Sequence, residues 1–320
     1  MSVQHSFYLA PLRGITDFIF RNSFEKHFGK FNSLLAPFIP TVKGTSVCDS
    51  HVKDILPDRN DCTRLVPQII GNDPEQFLVL VSKMKELGYK SVNWNLGCPF
   101  PQITKKKRGS GLLPYPEIID SFLNQVSRSL QCALSVKVRL GLNNATDLLK
   151  LIPVLNKYPL TEVIIHPRTG SQMYSGNVNV EMFVECAAIC SHPVVYNGDI
   201  CSTDDFKRLS TRMPFIKRWM IGRGIVSNPF LIKSIIYGDN VNRDRDPLFN
   251  FHQEIFDKNS KILFGPAHLL GKMKEIWMYL SSCFEDKDSI LKQIRKTTTV
   301  PGYLEISNKV LKTSEFAQDR

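Results

Sequence analysis

Eight short apolar runs lie within the first 221 residues, and a segment of helical character separates most of them. The runs cover residues 7–10, 33–37, 65–70, 92–95, 134–139, 162–166, 193–196 and 219–221. They are rich in Val, Ile and Leu with little polar alternation, the pattern of strands covered on both faces. Helical segments are expected from Thr16 or Asp17 to Phe28, over 76–87 after the Asn72-Asp73-Pro74 start, over 116–130 and over 204–212. A further one is expected over 147–156, interrupted by Pro153. Eight such strands with helical segments between most of them predict an α/β fold: a (β/α)8 TIM barrel.

After the eighth run the pattern changes. Residues 238–247 form a polar break rich in turn residues and in both signs of charge. Beyond it, residues 248–264, 268–284, 289–296 and 304–311 repeat apolar positions at helical spacing, with Pro301-Gly302 as punctuation. This predicts a small C-terminal helical domain. The expected domains are 1–240, the barrel, and 241–320, the helical domain.

The chain carries a formal net charge of +11, and the excess lies before residue 233. Such a balance favours an anionic partner, with nucleic acid ahead of membrane. The densest basic run is Lys105-Lys106-Lys107-Arg108. The eight cysteines are scattered with no C-x-x-C pair, a reduced intracellular pattern and not a disulfide framework. Cys186, Cys190 and His192 lie close in sequence but on an ordinary apolar helix, so no metal is expected. No apolar run reaches the roughly 18 residues a membrane span needs. A cytoplasmic protein, working as a monomer, is expected.

Candidate functional residues gather at the C-terminal ends of the runs: Gln68, Asn95, Cys98, Lys137, Arg139, His166, Arg168, Asn197 and Arg223. In such barrels this is the face that carries the active site. Cys98 sits between Gly97 and Pro99, on a stiff strand exit beside Asn93 and Asn95. There a thiol can be a nucleophile, a metal ligand, a proton donor or core filling. Asn197-Gly198-Asp199 and Gly222-Arg223-Gly224 follow the seventh and eighth runs, where (β/α)8 barrels often bind phosphate. Glycine lets backbone N–H groups approach, and an arginine can fork onto the oxygens. The pair suits a phosphorylated cofactor such as FMN. Lys137 could stabilise negative charge on a reduced flavin or an enolate, or could sit in a structural ion pair. His166 could join it or be a capping histidine. Gln68 and Asn197 offer amides of the kind that bond a flavin or pyrimidine edge.

These motifs resemble the tRNA-dihydrouridine synthases along most of the barrel. They include Ala10-Pro11-Leu12-Arg13-Gly14-Ile15-Thr16-Asp17, Pro67-Gln68-Ile69-Ile70-Gly71-Asn72-Asp73-Pro74 and Asn95-Leu96-Gly97-Cys98-Pro99 with Gly109-Ser110-Gly111. Val136-Lys137-Val138-Arg139, His166-Pro167-Arg168-Thr169 with Gln172, Tyr174 and Gly176, Asn197-Gly198-Asp199-Ile200, and Met220-Ile221-Gly222-Arg223-Gly224 complete the set. The resemblance implies an FMN-containing barrel with a helical tRNA-binding domain, reducing uridine in tRNA with NADPH as electron donor. It implies that Pro11, Leu12, Arg13, Gln68, Lys137, His166, Asn197, Gly198, Asp199, Gly222 and Arg223 hold FMN. Cys98 would be the proton donor, and Asn95, Arg139 and Arg168 would face the uridine. The family usually has a small residue where Arg13 stands. Two rival readings are an FMN barrel acting on a free pyrimidine and a catalytically silent RNA-binding protein. The basic charge and the helical domain argue against the first, and Cys98 with the two phosphate loops against the second.

Overall fold

The computed structural model describes residues 5–238 and 243–318. Ten strands are described: β1 (Ser6–Leu9), β2 (Ser33–Leu35), β3 (Ile39–Pro40), β4 (Leu65–Val66), β5 (Gln68–Ile70), β6 (Ser91–Leu96), β7 (Ala133–Gly141), β8 (Leu160–Thr169), β9 (Val194–Tyr196) and β10 (Arg218–Ile221). They form one sheet in the order β3-β5-β6-β7-β8-β9-β10-β1-β2-β4. β4 and β5 are one run broken at Pro67, which has no N–H to give a ladder. The first half pairs with β2 and the second with β6, both in parallel. Residues 36–38 likewise part β2 from β3. Each end of the order is thus the other half of a strand already within it, and the sheet closes as an eight-stranded TIM barrel.

The helices of the barrel region are α1 (Phe18–Phe28), α2 (Pro74–Glu86), α3 (Pro101–Thr104), α4 (Pro116–Ser127), α5 (Asp147–Leu155), α6 (Val180–Ile189), α7 (Thr203–Arg212), α8 (Arg223–Ser227) and α9 (Leu231–Tyr237). The C-terminal helices are α10 (Arg245–Ile262), α11 (Gly265–Leu280), α12 (Lys287–Lys296) and α13 (Val300–Thr313). Of the two cap candidates for α1, Asp17 is the one whose side chain accepts from Phe20 N–H. Pro153 does not interrupt α5: it lies on the exposed side, where water can satisfy the carbonyl it leaves without a donor. Pro301 does not punctuate either. It sits in the first turn of α13, where its missing N–H costs nothing, and Thr299 caps that turn.

Packing divides the chain into two compact units. One comprises Met1–Pro11, Asn32–Gly198 and Met213–Met220; the other comprises Leu12–Phe31, Asp199–Arg212 and Ile221–Arg320. The expected boundary at 240/241 lies outside the described residues. In the first unit Tyr8, Ala10, Leu35, Ile164, Val195 and Met220 form a buried layer inside the barrel. On β6, Trp94 turns outward to stack on Phe122 of α4 at 3.9 Å. Its neighbours Asn93 and Asn95 turn inward, as the two-residue period of a strand requires.

In the second unit, Phe20, Phe24 and Phe28 recur at i, i+4 along α1 and surround Phe251 of α10. Their ring centroids lie 5.5, 5.9 and 5.3 Å from that of Phe251. Beside this seam Lys26 and His27 each approach the Glu254 carboxylate to 2.8 Å.

Candidate active site

In the first unit the parallel register brings the candidates together. Gln68 pairs with Asn93, Asn95 with Lys137, and Arg139 with His166. Side chains two apart share a face, so Asn93-x-Asn95, Ser135-x-Lys137-x-Arg139 and His166-x-Arg168 each line the same side of their strand.

A chain of buried amides runs across three strands. The Asn95 side-chain oxygen accepts from the Gly97 and Cys98 N–H groups at 3.0 and 2.9 Å. The Asn95 amide donates to Gln68 Oε1 at 2.7 Å, and Gln68 Nε2 donates to Asn93 Oδ1 at 2.7 Å. Asn93 Nδ2 donates to the Ser135 hydroxyl at 2.8 Å, which donates to the Val92 carbonyl at 3.4 Å. Behind Cys98 the turn over Gly109–Leu112 is packed tight. A Cβ at Gly109 would stand 2.6 Å from the Cys98 carbonyl oxygen, and Gly109 has φ +57°. Ser110 donates to that carbonyl from both N–H and Oγ, each at 3.0 Å. The Cys98 backbone is therefore fixed on both sides, with the residue 6% exposed.

The Lys137 ammonium has no hydrogen-bond or ion-pair partner among the described residues. Burial pushes it down to about 7 and the Arg139 guanidinium pushes the same way; a thiolate at Cys98 would oppose them. A cation held without a counter-ion is poised for an anionic ligand.

The two arginines are more committed than the sequence suggests. Arg139 donates to the carbonyls of Gly97, Thr169 and Met173 at 3.0, 2.8 and 2.6 Å and lies over the Tyr174 ring. Burial brings its guanidinium down to about 10. Arg168 donates to the carbonyls of Ser175 and Gly176 and to His166 Nε2 at 3.3, 2.6 and 3.2 Å. Arginine has no acceptor, so His166 Nε2 carries the lone pair in that contact. Together the arginines fasten the loop from Thr169 to Gly176.

The Asn197 amide donates to the Met220 carbonyl at 2.8 Å, tying the ends of β9 and β10. A Cβ at Gly198 would stand 2.7 Å from the Tyr196 hydroxyl. In the second unit Arg223 pairs with Asp199 at 2.7 Å, and a Cβ at Gly224 would collide with the Ile200 carbonyl. Leu12 N–H donates to Thr16 Oγ1 at 2.8 Å, and Arg13 is exposed. Lys272 of α11 clamps this loop, reaching the Gly14 carbonyl at 2.7 Å and the Asp17 carboxylate at 2.5 Å. Pro11, in the first unit, is half-buried.

Within the basic run, Arg108 donates to Asn72 at 3.1 Å and Lys107 covers the Tyr115 ring at 4.4 Å. Lys105 and Lys106 remain exposed. No cluster of metal-ligating side chains occurs among the described residues, and Cys186 is buried in α6. Ser135 and Lys272 do not stand out in the sequence. Ser135 carries one signal there, the two-residue spacing to Lys137.

Comparison with known proteins fits this arrangement. The profile of the dihydrouridine synthase (Dus) family matches residues 8–309. The tRNA-dihydrouridine synthase B of Pasteurella multocida is 29% identical over 248 residues, 75% of this chain and 72% of that protein. The tRNA-dihydrouridine(16) synthase of Pseudomonas putida is 25% identical over 306 residues, 90% of this chain and 92% of that protein. Among solved structures, histamine dehydrogenase from Rhizobium sp. 4-9 shares the fold with a TM-score of 0.55 at 14% identity, over 78% of this chain and 49% of that one. With the family profile spanning nearly the whole chain, from β1 into α13, the protein belongs to the dihydrouridine synthase family.

Proposed function

We propose that this dihydrouridine synthase acts on tRNA, reducing the C5=C6 bond of a uridine to 5,6-dihydrouridine with FMN as cofactor and NADPH as electron donor. The observation that carries the reading is the pinned Cys98 beside the unpartnered Lys137 cation at adjoining strand ends. Gln68 and Asn95 each keep one amide hydrogen outside the buried chain, able to meet a heterocycle edge.

The residues present fit FMN. The Lys137 ammonium lacks an anion, and Arg223 and the backbone around Gly198 and Gly222 offer donors of the kind a phosphate takes. Bound FMN would supply two-electron reduction, replenished by NADPH. Pro11, Leu12, Arg13, Gln68, Lys137, His166, Asn197, Gly198, Asp199, Gly222 and Arg223 would hold it. Lys137 would stabilise negative charge there, and Arg223, oriented by Asp199, would take the phosphate. Asn95, Arg139 and Arg168 would position the uridine, the arginines chiefly by shaping the loop from Thr169 to Gly176. Cys98 would protonate C5. A thiol with a reference pKa of about 8.5 is mostly protonated yet a competent acid near neutrality.

A uridine must leave the RNA stack to reach a barrel mouth, so an unpaired or flipped base is required. Lys105 and Lys106 would contact the phosphate backbone, as would the helices beyond residue 240. No described helix is long and apolar enough to cross a membrane. A cytoplasmic monomer fits the reading. The test is the purified protein itself: a yellow holoprotein that releases FMN and forms dihydrouridine in unmodified tRNA. A flavin-free protein that binds tRNA without modifying it would refute the proposal.

A further inference from the structure

We infer that Asn93 and Ser135, to which the proposed reaction gives no role, are positioning residues that set the orientation of Gln68 and Asn95 and, through Asn95, the backbone at Cys98. The inference deepens the proposed function and rests on it for its catalytic readout, but not for its structural one.

The buried amide chain has a direction. A side-chain amide has a donor end and an acceptor end of nearly the same shape, so burial alone does not choose between its two flips. Here the choice is made in series. The backbone carbonyl of Val92 can only accept, so the Ser135 hydroxyl donates to it at 3.4 Å. That leaves the Ser135 oxygen as acceptor for Asn93 Nδ2 at 2.8 Å. With its nitrogen so placed, Asn93 offers Oδ1 to Gln68 Nε2 at 2.7 Å. Gln68 then offers Oε1 to Asn95 Nδ2 at 2.7 Å. Asn95 is left with Oδ1 facing the Gly97 and Cys98 N–H groups at 3.0 and 2.9 Å. Every link puts a donor against an acceptor. Reversing Gln68 or Asn95 would set donor against donor on one side and acceptor against acceptor on the other; reversing Asn93 would set its nitrogen against Gln68 Nε2 and draw the Ser135 hydroxyl off the Val92 carbonyl.

The surroundings give little alternative. Gln68 and Asn93 are 0% exposed, Ser135 5% and Asn95 7%. Water cannot easily replace a missing partner there, and a buried unpaired amide is costly. The chain starts at a backbone carbonyl and ends at the two backbone N–H groups that lead into the reacting thiol. The same orientation fixes which amide hydrogens of Gln68 and Asn95 remain for a heterocycle. Pro99 has no N–H, so Gly97 and Cys98 supply the last two donors before the turn.

Ser135→Ala removes one oxygen atom and is the least disruptive probe. Hydrogen exchange is measured on the full chain, with a peptide spanning Gly97 and Cys98 and reference peptides from β8 and β9. Alongside it, kcat and KM for tRNA are measured on the flavin-loaded protein. Exchange at Gly97 and Cys98 should rise about 5- to 30-fold, the factor for one to two kcal/mol of local destabilisation, with the reference peptides unchanged. The kcat should fall by a similar factor while KM for tRNA holds. Ser135→Thr keeps the hydroxyl and should restore both. Asn93→Leu, close in volume, should give a larger effect of the same pattern.

Unchanged exchange at Gly97 and Cys98 in Ser135→Ala overturns the inference. So does a uniform rise across the barrel, which would make Ser135 merely structural, or a failure of Ser135→Thr to restore protection. If the parent protein forms no dihydrouridine, the proposed function fails while the exchange result still decides the orientation chain.

Discussion

Each unit of this molecule buries a polar cluster, and the two clusters end differently. In the barrel, hydrogen bonds pass from Ser135 through Asn93, Gln68 and Asn95 to the backbone of Cys98, with every link made. In the helical unit, Tyr303 of α13 accepts from Trp277 of α11 at 2.9 Å and lies 2.6 Å from His252 Nε2 of α10. There the chain stops. His252 Nδ1 is buried with no hydrogen-bond partner among the described residues. The barrel cluster leads to Cys98, the proposed proton donor, at a strand end, where ligands bind in this fold. The helical cluster leads nowhere, and its work is to fix three helices in one register. On the proposed reading, the complete chain serves the chemistry and the incomplete one serves the scaffold.

The comparison can be broken first at Cys98. Cys98→Ala should lower dihydrouridine formation by about 10²–10⁴-fold, the usual worth of a general acid. FMN content and NADPH oxidation by an artificial acceptor should be unchanged. Loss of the flavin as well would make the cysteine structural, and the barrel cluster would then resemble the helical one.

Next in size is Lys137. Lys137→Met should weaken FMN binding by about 10- to 100-fold, the range for removing a charge-assisted hydrogen bond with nothing in its place. The parent should bind FMN less tightly as pH rises through about 7, where the half-buried Lys137 ammonium loses its proton in the unliganded protein. A fluorescence titration across pH 6 to 9 reads this, and the variant should show a flatter profile.

His252 tests the other side of the comparison. Burial pushes its imidazole down to about 3, while in the unfolded chain it titrates near its reference value of about 6.5. Between those values the unfolded chain holds a proton that the folded chain does not. Stability should therefore be intact above pH 6.5 and fall as the pH drops, with a slope approaching about 1.4 kcal/mol per unit. Thermal melts of the parent and of His252→Phe between pH 7.5 and 5 should show the slope shrink in the variant. Activity at pH 7.5 should be retained.

The smallest effect should come from Lys105 and Lys106. Replacing both with Ser should weaken binding to every tRNA alike and reduce the slope of log affinity against log salt by about one to two. A gel shift at several salt concentrations reads the slope.

Much of the barrel is legible in the sequence because each strand is a local signal. The run at 65–70 reads as one strand, and the structure bears this out by closing the sheet through its two halves. Asn95, Lys137, Arg139 and His166 are visible as strand-end residues for the same reason. The orientation chain is not legible. Gln68 and Asn93 are 25 positions apart, Asn93 and Ser135 are 42 apart, and only the strand register sets them opposite each other. The acceptors that hold Arg139 and Arg168 are hidden in the same way, since backbone carbonyls leave no mark in sequence. The helical unit is less legible still. Phe251 packs on Phe20, Phe24 and Phe28 across more than 200 positions, and α1 reads simply as the first helix of the barrel.

The most direct test of the account joins both substrates in one experiment. The holoprotein is reduced with NADPH in the absence of oxygen and then mixed in a stopped-flow instrument with tRNA that lacks dihydrouridine. The account predicts that the oxidised flavin absorbance returns on mixing and that one dihydrouridine forms per flavin reoxidised. A flavin that stays reduced in the presence of tRNA, or reoxidises without dihydrouridine appearing, would contradict it.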